Sequence, residues 1–443
     1  MTRASVSSLV MVRWQGEVAA LGADDRRALF DRGTSGDDAV RERTTAIIAR
    51  VRREGDAALR ALAQELDGAT LHALEVPTAE CARALAALDP ALRRAMERAA
   101  RNVERVHRAF LPVAQETESE PGIVVGRRPD PLGRVGVYAP GGRAAYPSSV
   151  LMGVIPARVA GVPEIIVCSP PARDTGRPAE VVLAAAALAG ATRVFALGGA
   201  GAIAAMAYGT ASVPRVDRIV GPGNAYVAEA KIQLSSAVAI DSPAGPSELL
   251  VLADDSADPV LVARELLAQA EHDPLAAVVA VTTSAVVARE VVKELALQIG
   301  TQPRAEVIAT ALASRGAVLV AASMDEGVAF ANDYAAEHLL LVARDADAVL
   351  PRLRNAGTVF VGAAASVAYG DYMTGANHVL PTGGLARSYS GLSTLDFVRW
   401  TTWQRVTPAA AAALAADVGI FADAEGLPGH AGAARAWAGG GRR

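Results

Sequence analysis

The sequence predicts an α/β protein: two incomplete Rossmann-like lobes with parallel sheets, flanked by helical N- and C-terminal segments. Three observations predict it. From Gly133 onward, short β-rich runs (GRVGVYAP, PEIIVCSP, RVFALGG, DRIVGPGN) alternate with Ala-rich helical stretches, the pattern of a parallel sheet with crossover helices. A second set of apolar runs follows: ELLVLADD, AAVVAVTTS, AVLVAAS, HLLLVARD and GTVFVG. Finally, 443 residues are too many for one simple core, so more than one lobe is expected.

In chain order, residues 24 to 111 read as helical. Arg and Glu are interleaved with Ala and Leu at three- and four-residue spacing, as in AVRERTTAIIARVRREGDAALRALAQEL. The style changes near Pro129, the two α/β stretches follow, and after about Ser393 the chain is expected to turn helical again and end in a Gly/Arg tail. Val194 to Pro214 carries no charge, but its Gly-Gly break reads as strand, turn and buried helix, not as a membrane span.

Composition excludes several classes. With 43 basic and 47 acidic residues, net charge −4 and no basic stripe, neither nucleic acid nor a membrane surface is an expected partner. The cysteines, Cys81 and Cys168, lack metal-type spacing and are too few for a disulfide framework, which fits a reduced, cytoplasmic setting. The N-terminus lacks the compact apolar core of a signal peptide.

Gly199-Ala200-Gly201-Ala202-Ile203-Ala204 has the form G-x-G-x-x-A, which a dinucleotide-binding turn shares with ordinary close strand-to-helix packing. The dinucleotide reading needs an acidic residue about 20 positions on, after the next strand, to hold the ribose. Asp217 has the right count but precedes the strand RIV. Three further glycine loops, Tyr138 to Val150, Val220 to Lys231 and Ser242 to Glu248, are expected to converge with this turn at the carboxyl edge of one sheet, where α/β proteins bind ligands.

The polar candidates cluster later. In DPVLVARELLAQAEHDP, Asp258 is a candidate N-cap, Pro259 opens the helix, and Gln269 and His272 share one face at its end. That pair fits either a metal site or an exposed helix end where His suits the dipole. Of six histidines, His272, His338, His378 and His430 each have an acidic or amide neighbour: Glu271, Glu337, Asp371 with Asn377, and Glu425. Two His and a carboxylate suffice for zinc without sulfur. Glu337-His338 is an adjacent acid/base pair, or a surface helix end.

Together these motifs resemble the histidinol dehydrogenase family. The resemblance runs from about Thr45 to His430 and rests on YPSSVLM, GPGNAYV-x-EAK, AGPSE, QAEHDP, EHL, GDY-x-x-G-x-NHVLPTGG-x-AR and SGLS. It implies a zinc- and NAD-dependent enzyme that oxidises L-histidinol to L-histidine through bound L-histidinal. The implied metal ligands are Gln269, His272, Asp371 and His430, which also orient the substrate. Glu337 and His338 match the catalytic pair; Ser247, His338, His378 and Glu425 match substrate contacts; Tyr138, Gly201 and Asn224 fall at nucleotide positions.

The resemblance further implies a homodimer whose C-terminal tail crosses to its partner, carrying Glu425 and His430 into the other subunit's site. The division it suggests is residues 1–29 as an N-terminal helical segment, 30–134 with 246–392 as the substrate lobe, 135–245 as the nucleotide lobe, and 393–443 as the tail. The chain departs from the family at Gly201, where Gln is usual and touches the nucleotide; at Ala336, where Pro is common; at Ala365-Ser366; and in FVRWTTWQRV. Alternative activities are an NAD/zinc dehydrogenase of another polar alcohol, such as a sulfonated propanediol, or a non-catalytic ligand-binding relative. A thiol route through Cys168 is the chemical rival to water addition in the second oxidation.

Overall fold

The computed structural model describes residues 12–33, 37–141 and 145–438. Residues 1–11, 34–36, 142–144 and 439–443 lie outside the described residues, and with them part of the expected N-terminal segment, part of the loop from Tyr138 and the Gly/Arg tail. Two compact units are formed: residues up to Phe110 together with Gly133–Phe397, and Leu111–Leu132 together with Val398–Arg443.

The first unit holds two six-stranded sheets. In spatial order the first sheet runs Trp14–Glu17, Gly316–Val320, Ala277–Thr282, Glu248–Ala253, His338–Val342 and Thr358–Val361, every neighbour parallel. Glu248–Ala253 and Ala277–Thr282 are buried along their whole length, so both faces must be covered by helices, and a continuous apolar run is what such a strand requires. Leu249 and Val251 pack against Leu266, Val291 and Leu312 on one face; Leu250 and Leu252 pack against Phe330 and Tyr334 on the other.

The second sheet runs Glu75–Val76, Arg193–Ala196, Glu164–Ser169, Arg134–Tyr138, Arg218–Val220 and Ala239–Ile240. Only the short edge strand Glu75–Val76 is antiparallel to its neighbour. Both sheets reverse direction of growth beside their first central strand. In the second, the chain builds outward from Arg134–Tyr138 through two strands and then crosses to Arg218–Val220 on the other side. A crevice opens at such a switch point.

The second unit is a three-stranded antiparallel sheet, Val398–Val406, Ile123–Pro131 and Gln115–Glu120, followed by helices Pro408–Ala424 and Pro428–Arg435. The helical tail expected after Ser393 therefore begins with a strand. Val398 to Val406 is rich in Val, Thr and Trp, residues that favour a pleated surface, and it pairs in unbroken register from Val398↔Pro131 to Val406↔Ile123.

Candidate active site

His338 opens its strand between Glu248–Ala253 and Thr358–Val361, which fixes its backbone on both sides. Its ring Nδ1 lies 2.9 Å from the Glu248 carbonyl oxygen. A carbonyl only accepts, so Nδ1 carries the proton and Nε2 is the free acceptor of the neutral ring. Nε2 is buried without a hydrogen-bond partner among the described residues; the nearest carboxylate, Asp371, is 3.7 Å away. Glu337 accepts a hydrogen bond from the Glu248 N–H at 2.7 Å and stands 3.4 Å from His338 Nδ1.

Burial alone would lower the His338 pKa, but the Glu337 and Asp371 carboxylates override it and push it up to about 10. Burial would likewise raise Asp371; His338, His378 and His272 around it hold its carboxyl below the usual range. His378 is pushed down by burial, and its Nδ1 is 2.9 Å from the Asp371 carbonyl oxygen.

Behind this pair stands a buried ion pair that the sequence did not reveal. Arg32 Nη1 donates to Glu248 Oε2 at 2.6 Å, and both side chains are almost wholly buried. Glu248 also accepts from Gly383 N–H at 2.7 Å and from Glu337 N–H at 3.4 Å. Arg32 donates to the Tyr334 carbonyl and lies 3.5 Å over the Tyr334 ring. Ala335, between that ring and Glu337-His338, has a left-handed backbone (φ 53°), a conformation that costs a non-glycine residue roughly 1–2 kcal/mol. Glu248 lay in view, in AGPSE, but nothing local marks Arg32 as its partner, because 216 positions separate them.

Gln269 and His272 are placed by the helix Pro259–Ala270, which the Asp258 carboxylate caps at Val260 N–H as expected (2.8 Å). The helix leaves the carboxyl end of Glu248–Ala253 and runs back, so its last turn returns to the amino edge of the first sheet. Gln269 is buried, yet its amide makes no hydrogen bond among the described residues. A cavity of about 640 Å³ brings Ser247, Gln269, His272, Glu337, His338, Asp371 and His378 together with Gly141, Tyr146, Ser149 and Asn224.

The expected convergence of four loops at one carboxyl edge therefore needs correction. Tyr138, the Gly199 turn and Asn224 do lie at the carboxyl edge of the second sheet. Ser242 to Glu248 instead leads into the first sheet, and the cavity lies between that sheet's amino edge and the second sheet's carboxyl edge.

Across the shared residues Gly141 and Asn224 lies a second cavity of about 340 Å³, walled by Ile47, Leu59, Leu62 and Leu66 and floored by Tyr138 and the turn from Gly198 to Gly201. The Gly199 N–H donates to the Tyr138 hydroxyl oxygen at 3.0 Å, and Gly199 has φ +59°, which favours glycine. Gly201 has little room: a Cβ there would stand 3.2 Å from Leu62 Cδ1. Asn224 caps the helix Ala225–Leu234, accepting from Tyr226 and Val227 N–H at 3.1 Å, which leaves its amide N–H group for a ligand. Asp217 takes no part; its carboxylate accepts from Arg134 N–H at 2.9 Å.

Cys168 is wholly buried, and burial pushes its thiol far up, the opposite of what a nucleophile needs. Cys81 is buried packing in the helix Thr78–Ala87. Glu425 and His430 belong to the second unit, at the end of Pro408–Ala424 and within Pro428–Arg435, and both are exposed. All residues lining the two cavities belong to the first unit. Among the described residues, no three His, Cys, Asp or Glu side chains of this one chain are grouped as a metal would need.

The profile of the family described as histidinol dehydrogenase matches residues 30–437. Histidinol dehydrogenase of Methanosarcina mazei is 46% identical over 413 residues, covering 93% of this chain and 95% of the relative. That of Halobacterium salinarum is 52% identical over 415 residues, covering 94% and 96%. The crystal structure of histidinol dehydrogenase from Elizabethkingia anophelis superposes with a TM-score of 0.91 at 33% identity, covering 96% of this chain and 98% of that one.

Proposed function

The chain belongs to the histidinol dehydrogenase family, and from that premise we propose that it oxidises L-histidinol to L-histidine, in histidine biosynthesis, with NAD as hydride acceptor and zinc as bound metal. The observation that carries the site assignment is the His338 ring: Nδ1 tied to a carbonyl, Nε2 free and buried in the cavity that Gln269, His272 and Asp371 also line.

The residues fit the metal. An amide oxygen, an imidazole and a carboxylate are zinc donors, and the Gln269 amide lines the cavity with no protein partner among the described residues, so it is available to a ligand. His430 would be the fourth donor, supplied by a second subunit of a homodimer. The exposed Val418, Ile420, Phe421, Leu427 and Trp437 of the second unit support such an association. Held by Gln269, His272 and Asp371, zinc would orient the imidazole and amino nitrogens of the substrate and would engage the Asp371 carboxylate that otherwise acts on His338.

The protein's own residues then handle the protons. His338 Nε2 takes the alcohol proton as hydride leaves the carbinol carbon for NAD, and Glu337 offsets the imidazolium charge. Glu337 takes a proton from water as its oxygen adds to the aldehyde, because only the gem-diol has a hydride left to give. With its first proton released to solvent, His338 serves again as the second hydride departs. Ser247 and His378 flank the substrate, and Glu425 joins them from the partner subunit. Tyr138, Gly201 and Asn224 form the nucleotide side. No described helix is long and apolar enough to cross a membrane, and we assign the enzyme to the cytoplasm on its two free, buried cysteines.

The test is the yield of NADH per L-histidinol consumed, before and after chelation. Two NADH, abolished by chelation and restored by zinc, is the expected result. No turnover from folded, zinc-loaded protein would contradict the reading and turn the search to other polar alcohols.

A further inference from the structure

A glycine turn that binds a dinucleotide ordinarily has an acidic residue at the end of the next strand, where a carboxylate accepts hydrogen bonds from the ribose hydroxyls. Here that position is vacant of acid. Asp217, the one candidate at the right spacing, precedes its strand and is spent on the Arg134 backbone.

The cavity over the turn nevertheless contains one carboxylate, and it comes from another part of the chain. Asp67 ends the π-type turn Ala63–Asp67, at the tip of the helical arm whose Leu59, Leu62 and Leu66 make the apolar wall. Gly68 follows with φ +68° and turns the chain away. Asp67 is only partly exposed, and its carboxylate has neither a hydrogen bond nor an ion pair among the described residues. Among the described residues it is the only acidic group lining this cavity. Burial raises it to about 6, with no donor offsetting the loss of water. Its negative charge also acts on the Tyr138 hydroxyl, the group that holds the Gly199 turn, adding to the larger effect of burial there.

Resting on the reading of this cavity as the NAD site, we propose that Asp67 holds the adenosine ribose of the dinucleotide through its vicinal hydroxyls, and that it thereby makes the enzyme accept NAD and refuse the 2′-phosphorylated coenzyme. The arm does from above what the missing strand-end acid does from the sheet. An apolar wall for the base, a carboxylate for the diol and a glycine turn for the diphosphate then occur in one continuous pocket. A 2′-phosphate would bring two negative charges against a half-buried carboxylate. Among the described residues Arg43 is the one basic group of the lining, and it is exposed at the rim, 5.7 Å over the Tyr226 ring.

The experiment is steady-state kinetics of the full-length, zinc-loaded enzyme with NAD+ and NADP+, for wild type, Asp67→Asn and Asp67→Ala. The expected result is a KM for NAD+ raised ten-fold or more in both variants, with KM for L-histidinol and zinc content unchanged. The NAD+/NADP+ preference should fall at least ten-fold. Wild-type enzyme supplies an independent arm: adenosine-2′-deoxy-NAD+ should bind at least five-fold more weakly than NAD+. If the variants fold with NAD+ kinetics and preference intact, or wild type binds the deoxy analogue as well as NAD+, the role of Asp67 is overturned while the NAD reading stands. Wild type that reduces no NAD+ overturns both.

Discussion

The two halves of the site are built to different standards of rigidity. On the substrate side, at the amino edge of the first sheet, the Glu337 carboxylate, the His338 ring and the Glu248 carboxylate behind them are all tied by buried hydrogen bonds, and Arg32 closes the set. On the proposed nucleotide side, the Gly199 N–H is held by the Tyr138 hydroxyl, Asp67 has no partner among the described residues, and the wall is made of leucine side chains. The difference follows the chemistry. Proton transfers need a donor and acceptor fixed to a fraction of an ångström through two successive oxidations. On the proposed reaction NAD leaves and is replaced between them, and a pocket with fewer fixed partners suits that exchange.

That contrast can be broken first on its rigid side. Replacing the proposed proton acceptor, His338→Asn, should slow both hydride steps by roughly 10²–10⁴-fold, since an amide cannot take up the alcohol proton. Stopped-flow NADH absorbance measures this, and near-normal turnover would remove His338 from the mechanism. Arg32→Ala touches neither substrate nor nucleotide, yet it leaves the Glu248 carboxylate buried and unpaired. It should cost about 3–5 kcal/mol in urea unfolding, and turnover should fall in whatever remains folded. A folded variant with unchanged stability and rate would mean that the ion pair does not support the catalytic pair.

On the other side the expected effects are smaller. Cys168→Ala removes one buried sulfur beside Tyr138 in the second sheet, which should cost about 1 kcal/mol and leave two NADH per histidinol. Loss of only the second oxidation would revive the thiol route. Gly201→Gln restores the residue usual in the family and should tighten NAD binding by roughly 0.5–1.5 kcal/mol, provided Leu62 moves aside. Weaker binding in a folded variant would show that this chain's leucine wall has closed the space the glutamine would need.

The same division governs what could be read from the sequence. Strands buried on both faces announce themselves, because Glu248–Ala253 and Ala277–Thr282 are almost unbroken apolar runs. The metal and acid/base candidates stood out as rare histidines in short polar strings. Val398–Val406 was missed because its alternation of Arg, Thr and Trp lacks the apolar run of the core strands, although its residue types favour a strand. Arg32 with Glu248, and Asp67 over the glycine turn, were invisible for a different reason. Each is defined by a neighbour more than a hundred positions away, and a buried arginine or an unpartnered aspartate looks like any surface residue until the fold assembles around it.

The division of labour between His338 and Glu337 is the centre of this account, and single-turnover kinetics of Glu337→Gln test it most directly. The amide can still accept from Glu248 N–H, so the frame is kept while the base that activates water is lost. The account predicts a first NADH slowed only by the lost charge offset to His338, and a second slowed at least a hundred-fold more. Two NADH released at wild-type rates, or the first step slowed as much as the second, would contradict it.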